Sequence, residues 1–296
     1  LTREGRYTDA SLALAASKAN LEEFTQFVEA VLTASHLRAF FFGNYDEADV
    51  RAAYTQLEDY VTPSRSAGYA RAGIYNPEPG ATLMLNREVP VEDLGMLYGF
   101  AAPEASIKNQ ALARILSRHL RVRAFETLRT EEQLGYAAGG GSLDLYQHPM
   151  VILYIQTPVK GPQDMLDRFN AYTQEYREEL AALTEESFAK FKAGVLTALT
   201  QPPKNLSAEA GPFASDWSIE NYDFDTRDKL IEAVESATLA DVQAFYDATV
   251  FSEARSRIVI QLKGQRYADQ AFGSLDGGVV VEDVDQFHKD RPKQAL

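Results

Sequence analysis

Residues 62–80, TPSRSAGYARAGIYNPEPG, concentrate Pro, Gly and Ser, and no other segment constrains the fold as much. The piece before them reads helix–strand–helix. Leu21, Phe24, Val28, Val31 and Leu32 recur at helical spacing within 8–33. His36–Gly43 (HLRAFFFG) is a short apolar run closed by Gly43-Asn44, the pattern of a strand and a turn. Val50, Tyr54, Leu57 and Val61 then form a second helical stripe. Such a piece has a hydrophobic face and no sheet to bury it against, and at this size it is marginal alone. We expect 1–61 to be the C-terminal piece of a preceding domain and 62–80 to be a linker. Residue 1 is Leu and Leu1–Asp9 has no apolar signal core, so the chain is expected to be cut from something longer.

Beyond the linker, strand and helix patterns mix without strict alternation. Ala81–Asn86, Leu94–Phe100, Met150–Thr157 and Arg257–Leu262 read as strands. Helical stripes run through Ile107–Leu120, Met165–Leu180, Phe188–Leu199 and Leu239–Phe245, with Thr184 and Thr238 as N-caps. Asp241 stands at the capping-box offset from Thr238. Pro202-Pro203 ends one helix, and Phe213, Trp217 and Ile219 share a helical register after it. The order predicts an α+β fold, an antiparallel-rich sheet with helices on one face, over residues 81–265, followed by a tail over 266–296.

Charge and residue types exclude several functions. Asp and Glu number 43 against 29 Lys and Arg, a net charge of −14, which disfavours general binding to nucleic acid or to an anionic membrane. No apolar run approaches the roughly 20 residues of a membrane-spanning helix. Cysteine is absent, which removes thiolate catalysis, disulfides and sulfur-ligated zinc. The four histidines, His36, His119, His148 and His288, never stand four apart, and neither HxxEH nor HExxH occurs. His36 and His119 read as partly buried or surface residues and His148, before Pro149, as a loop residue. GxSxG is absent too.

Two segments remain as candidate sites. Gly139-Gly140-Gly141 could contact substrate, or could form a strand bend or leave room for another backbone. In RTEEQLGY (129–136) a helix pattern breaks, with Arg129 and Tyr136 flanking a Gly-containing turn. A guanidinium and a phenol suit peptide carbonyls or a developing oxyanion. The same residues also read as a helix end, with Gly135 past the last turn and Arg129 on a solvated face.

FETLRTEEQLGY (125–136) resembles the FxxLRTxxQLGY segment in the last domain of the insulysin/pitrilysin-type peptidases, the inverzincin M16 family. PPKNLSAEA (202–210), NYDFDTRD (221–228) and LADVQAFYDATV (239–250) resemble further segments of that domain, in the same order. Residues 19–52 resemble the end of the domain before it. The resemblance implies an M16-type (mitochondrial-processing-peptidase-like) domain preceded by a partial copy of the same type. It implies the noncatalytic C-terminal half of a zinc-dependent endopeptidase, closing a peptide-binding chamber. No cofactor would be held by this chain, because zinc sits in the N-terminal half of such enzymes. The partner would be that catalytic half or a separate HxxEH subunit, and the substrates peptides. Arg129 and Tyr136 would position the scissile peptide and stabilise its oxyanion. Asn205 replaces a basic residue that some relatives carry after the position of Lys204, which puts an anion-binding role there in doubt. The alternative is a separate noncatalytic subunit or peptide-binding scaffold of the same fold. The periplasm is the expected compartment, with the cytoplasm as alternative.

Overall fold

The computed structural model of the 296-residue chain describes residues 7–33, 36–61, 78–145 and 147–290. Most of the expected linker, 62–80, lies outside the described residues. In chain order the elements are α1 (Asp9–Lys18), α2 (Leu21–Thr33), α3 (Glu47–Tyr60), β1 (Thr82–Glu88), β2 (Leu94–Ala101) and α4 (Ile107–Ala124). A π-helical turn, Phe125–Glu131, extends α4. Then follow β3 (Ala137–Leu145), β4 (His148–Thr157), α5 (Pro162–Ala181), α6 (Glu185–Thr200), α7 (Leu206–Ser218), α8 (Thr226–Ser236), α9 (Leu239–Val250), β5 (Ser256–Lys263), β6 (Gly278–Val280) and α10 (Val284–Asp290).

These elements form two compact units. One comprises Leu1–Tyr75, Pro203–Phe224 and Val284–Leu296; the other comprises Asn76–Pro202 and Asp225–Asp283. The expected bounds differ from this division in two places. Residues 203–224 group with the N-terminal piece, and 266–283 group with the sheet instead of forming a tail. Both differences come from pairings distant in sequence, described below.

The second unit is built on a six-stranded sheet of order β3-β4-β2-β5-β1-β6. The β3-β4, β4-β2 and β2-β5 pairs are antiparallel, whereas β1 runs parallel to both β5 and β6. The sheet is thus antiparallel-rich and the fold α+β. Met96, Tyr98 and Phe100 of β2 lie opposite Ile155, Leu153 and Val151 of β4, so all six point to one face, and all are buried. The helices α4, α5 and α9 pack against this sheet. On the opposite face Tyr154 stays 41% exposed. The helices start where the chain supplies caps. Ser106 accepts from the Asn109 amide at 3.2 Å, Thr184 from Ser187 at 3.2 Å, and Pro162 opens α5. The α6 helix ends ahead of Pro202-Pro203, as expected. Phe169, Tyr172 and Tyr176 of α5 reach Leu116 and Leu120 of α4 and Tyr246 of α9 within one core.

The first unit is held by aromatic contacts. Phe40 lies 5.9 Å from the Trp217 ring and Phe42 5.4 Å from Phe213. The Arg38 guanidinium sits 4.7 Å above Trp217 and donates to the Trp217 carbonyl at 2.8 Å and to Glu220 at 3.1 Å. These contacts explain why 203–224 belongs here. The expected helix over 8–33 is two helices: Asn20 Oδ1 accepts from the Glu23 amide at 3.0 Å and starts α2 afresh. The expected strand His36–Gly43 enters no ladder among the described residues, since this unit offers it no strand to pair with.

Candidate functional site

The FETLRTEEQLGY segment forms the end of α4 and the turn into β3. The Glu132 amide reaches back five residues to the Thr127 carbonyl at 2.9 Å, the widened turn of a π-helix. The Leu134 amide then closes on the Leu128 carbonyl at 3.0 Å, with both leucines buried. The left-handed residue of this helix end is Gln133, at φ 52°, not Gly135. Gly135 is required for a different reason: a Cβ there would stand 2.0 Å from the Gln156 carbonyl oxygen of β4. Thr157 Oγ1 donates to the Leu134 carbonyl at 2.5 Å and ties the turn to the same strand.

Two side chains emerge from this fixed turn. Tyr136 is 85% exposed. The Arg129 guanidinium lies 4.6 Å from the Phe125 ring and 4.6 Å from the Tyr136 ring, held between two aromatic faces. It has no hydrogen-bond or ion-pair partner among the described residues. Its donors are oriented and unspent. Arg129, Gln133, Gly135, Tyr136, Asp93 and Gln156 line an open pocket of about 440 Å³.

The support beneath the turn was not legible from the motif. Arg168 of α5 donates to both Glu132 oxygens, at 2.8 Å and 3.1 Å from Nε, and also grips Glu175. The hydrogen bonds to Glu132 raise the Arg168 pKa further above its ordinary value. These residues stand 36 positions apart, so nothing in the local sequence signals the pair. Phe125, by contrast, stands four before Arg129, a spacing that puts both on one helix face.

Gly139, Gly140 and Gly141 are buried in β3. A Cβ on Gly140 would stand 2.9 Å from Leu120 Cγ, and one on Gly139 2.8 Å from the Tyr154 hydroxyl. The close approach of neighbouring side chains is what these positions accommodate. His148 opens β4 instead of lying in a loop, and its Nε2 stands 2.6 Å from the Ala102 carbonyl. His119 is buried with Nδ1 2.9 Å from the Tyr176 hydroxyl, and burial lowers its pKa. Among the described residues no group of three or more His, Cys, Asp or Glu could hold a metal ion. A zinc ion therefore does not fit this chain's own described residues.

Known proteins share this arrangement. The family described as PQQ synthase PqqF-like, C-terminal lobe domain 4, matches residues 115–214. Protease 3 of Escherichia coli K12 is 25% identical over 184 residues, 62% of this chain and 19% of that protein. The pitrilysin crystal structure superposes with a TM-score of 0.89 at 19% identity, covering 98% of this chain and 31% of that one. The peptidase M16 inactive domain from Pseudomonas fluorescens gives a TM-score of 0.54 at 11% identity over 78% of this chain and 53% of that one. The chain spans less than a third of the length of Protease 3 and of pitrilysin. By motif order, family match and fold, it corresponds to the C-terminal half of the M16 zinc peptidases.

Proposed function

We propose that this chain closes the peptide chamber of a zinc-dependent endopeptidase and presents Arg129 and Tyr136 to a reaction centre carried by the N-terminal half. The zinc and its chemistry belong to that half. The observation that carries the reading is the Arg129 guanidinium, stacked between Phe125 and Tyr136 with its donors unspent. A planar guanidinium in a fixed orientation holds peptide carbonyls along an extended substrate. An exposed phenol beside it donates one hydrogen bond to an oxyanion as the tetrahedral species forms. Gly139–Gly141 would offer a peptide main-chain contacts only, since they have no side chains. The periplasm is the compartment we assign by resemblance. No helix among the described residues is long and apolar enough to cross a membrane.

The test is steady-state cleavage of a short quenched peptide by the enzyme assembled with its HxxEH-bearing half. An oxyanion donor acts mainly in the transition state, so Tyr136→Phe lowers kcat by roughly 10²–10³ while KM changes little. Arg129→Ala harms both parameters, because ground-state contacts are lost as well. Full kcat in Tyr136→Phe would show the pair to be structural. Likeness to an M16 inactive domain also favours a second reading, a separate noncatalytic subunit. Whether an HxxEH segment lies upstream in the same reading frame separates the two.

A further inference from the structure

We infer that α4, α6 and the β3 edge form a carboxylate-binding groove that receives an acidic segment of the peptide substrate. The groove holds about 560 Å³ and is lined by Arg114, Arg118 and Arg121 of α4, with Val195 and Leu199 of α6 as an apolar wall. Three guanidinium groups share it with one carboxylate, Asp144, in a chain whose net charge is −14. Asp144 pairs with Arg114 at 3.1 Å and leaves the Arg114 Nε buried without a partner. Neither Arg118 nor Arg121 has a hydrogen-bond or ion-pair partner among the described residues.

The seat of Arg118 is built. Gly194 lies inside α6, where glycine costs about 1 kcal/mol relative to alanine. A Cβ there would stand 2.8 Å from Arg118 Nε and 2.9 Å from its Cζ. The missing side chain is what lets this guanidinium lie against α6 and face the groove. Charge complementarity then selects the occupant, since fixed and unneutralised guanidinium groups bind carboxylates, bidentately where geometry allows.

Its place along the helix sets a register. Arg118, Arg121, Phe125 and Arg129 follow one another at three- and four-residue steps and share one face. At about 1.5 Å per residue, Arg121 and Arg118 stand roughly 12 and 16 Å before Arg129. An extended peptide covers that in about four to five residues at roughly 3.3 Å each. Acidic side chains four or five positions from the bond at Arg129 would reach the groove. This register rests on the reading of Arg129 given above; the charge preference does not.

Fluorescence anisotropy on this chain tests the groove without any catalytic half. The probe is a labelled dodecapeptide with two Glu residues four and five positions from its central bond, compared with its Gln counterpart at low salt. The Glu peptide is expected to bind roughly tenfold tighter, as a few part-enclosed ion pairs supply. R118Q/R121Q abolishes the difference while leaving the Gln peptide's affinity and the Tm unchanged, and R118K/R121K retains most of it. Equal affinities, no binding of either peptide, or a preference that survives R118Q/R121Q would overturn the inference. Displacement of the Glu peptide by millimolar inorganic phosphate would also overturn it and make the groove a free-anion site. If Tyr136→Phe keeps full kcat while the charge preference persists, only the reading of the reaction centre fails.

Discussion

At the scale of single residues, the RTEEQLGY turn shows which side chains act and which make room. Arg129 and Tyr136 stand out in sequence because their chemistry is unusual at a helix end. Gly135 stands out too, but its reason is not local: it admits the Gln156 carbonyl oxygen, 21 residues further along on β4. For Gly135→Ala we expect a loss of roughly 1–3 kcal/mol, the ordinary cost of forcing extra volume into a packed site. Because the obstacle is backbone, relief must come from moving the turn, and Tyr136 moves with it. Urea unfolding of the variant checks the stability, and the same peptide assay checks the site. Unchanged stability and unchanged kcat together would mean that the turn is looser than its contacts to Gln156 and Thr157 indicate.

At the scale of elements, the helix starts were the most legible features, because a cap is a local device. Thr184, Thr238 and the Pro202-Pro203 stop are all read correctly from neighbouring residues. The Thr238–Asp241 capping box of α9 forms as its spacing predicts, and Lys108 adds a 2.9 Å ion pair. Hydrogen bonds from Thr238, and then from Lys108, hold the Asp241 carboxyl down at about 2. A folded-state pKa below the unfolded value near 3.9 gives stability that is present in full above about pH 4 and lost as pH falls through about 2. Asp241→Asn should therefore lower the Tm by a few degrees at neutral pH. The gap to the parent should narrow as pH drops from about 4 toward 2. A gap independent of pH would assign the loss to helix geometry and not to charge. Strand β3 and strand β6 were harder to read, and for one physical reason. A strand made of Ala and Gly, or of three residues, has no periodicity of its own, and only its ladder to β4 or to β1 makes it a strand.

At the scale of the whole molecule, local pattern separates what belongs together. Residues 203–224 read as part of the last domain because they follow its helices, yet Trp217 and Phe213 pack with Phe40 and Phe42, more than 170 residues earlier. Such a pairing leaves no trace in spacing, since apolar helix residues do not name their partner. The two units also differ in how they are held, and that difference predicts their dynamics. Helices α1, α2 and α3 carry no buried residue, whereas α4 and α5 bury most of their apolar side chains in one core. Local opening of an element costs free energy in proportion to the burial it gives up, from near zero at exposed elements to the full unfolding value in the core. In native-state hydrogen exchange of this chain, amides of α1–α3 should therefore exchange roughly a hundredfold or more faster, relative to unstructured rates, than those of α4, α5, β2 and β4. Denaturant should accelerate the core set with the slope of global unfolding and leave the α1–α3 set nearly flat, because local openings expose little new surface. Equal protection in both sets, with the same denaturant slope, would show one cooperative body in which the aromatic contacts around Trp217 stabilise the first unit as firmly as the sheet core does the second.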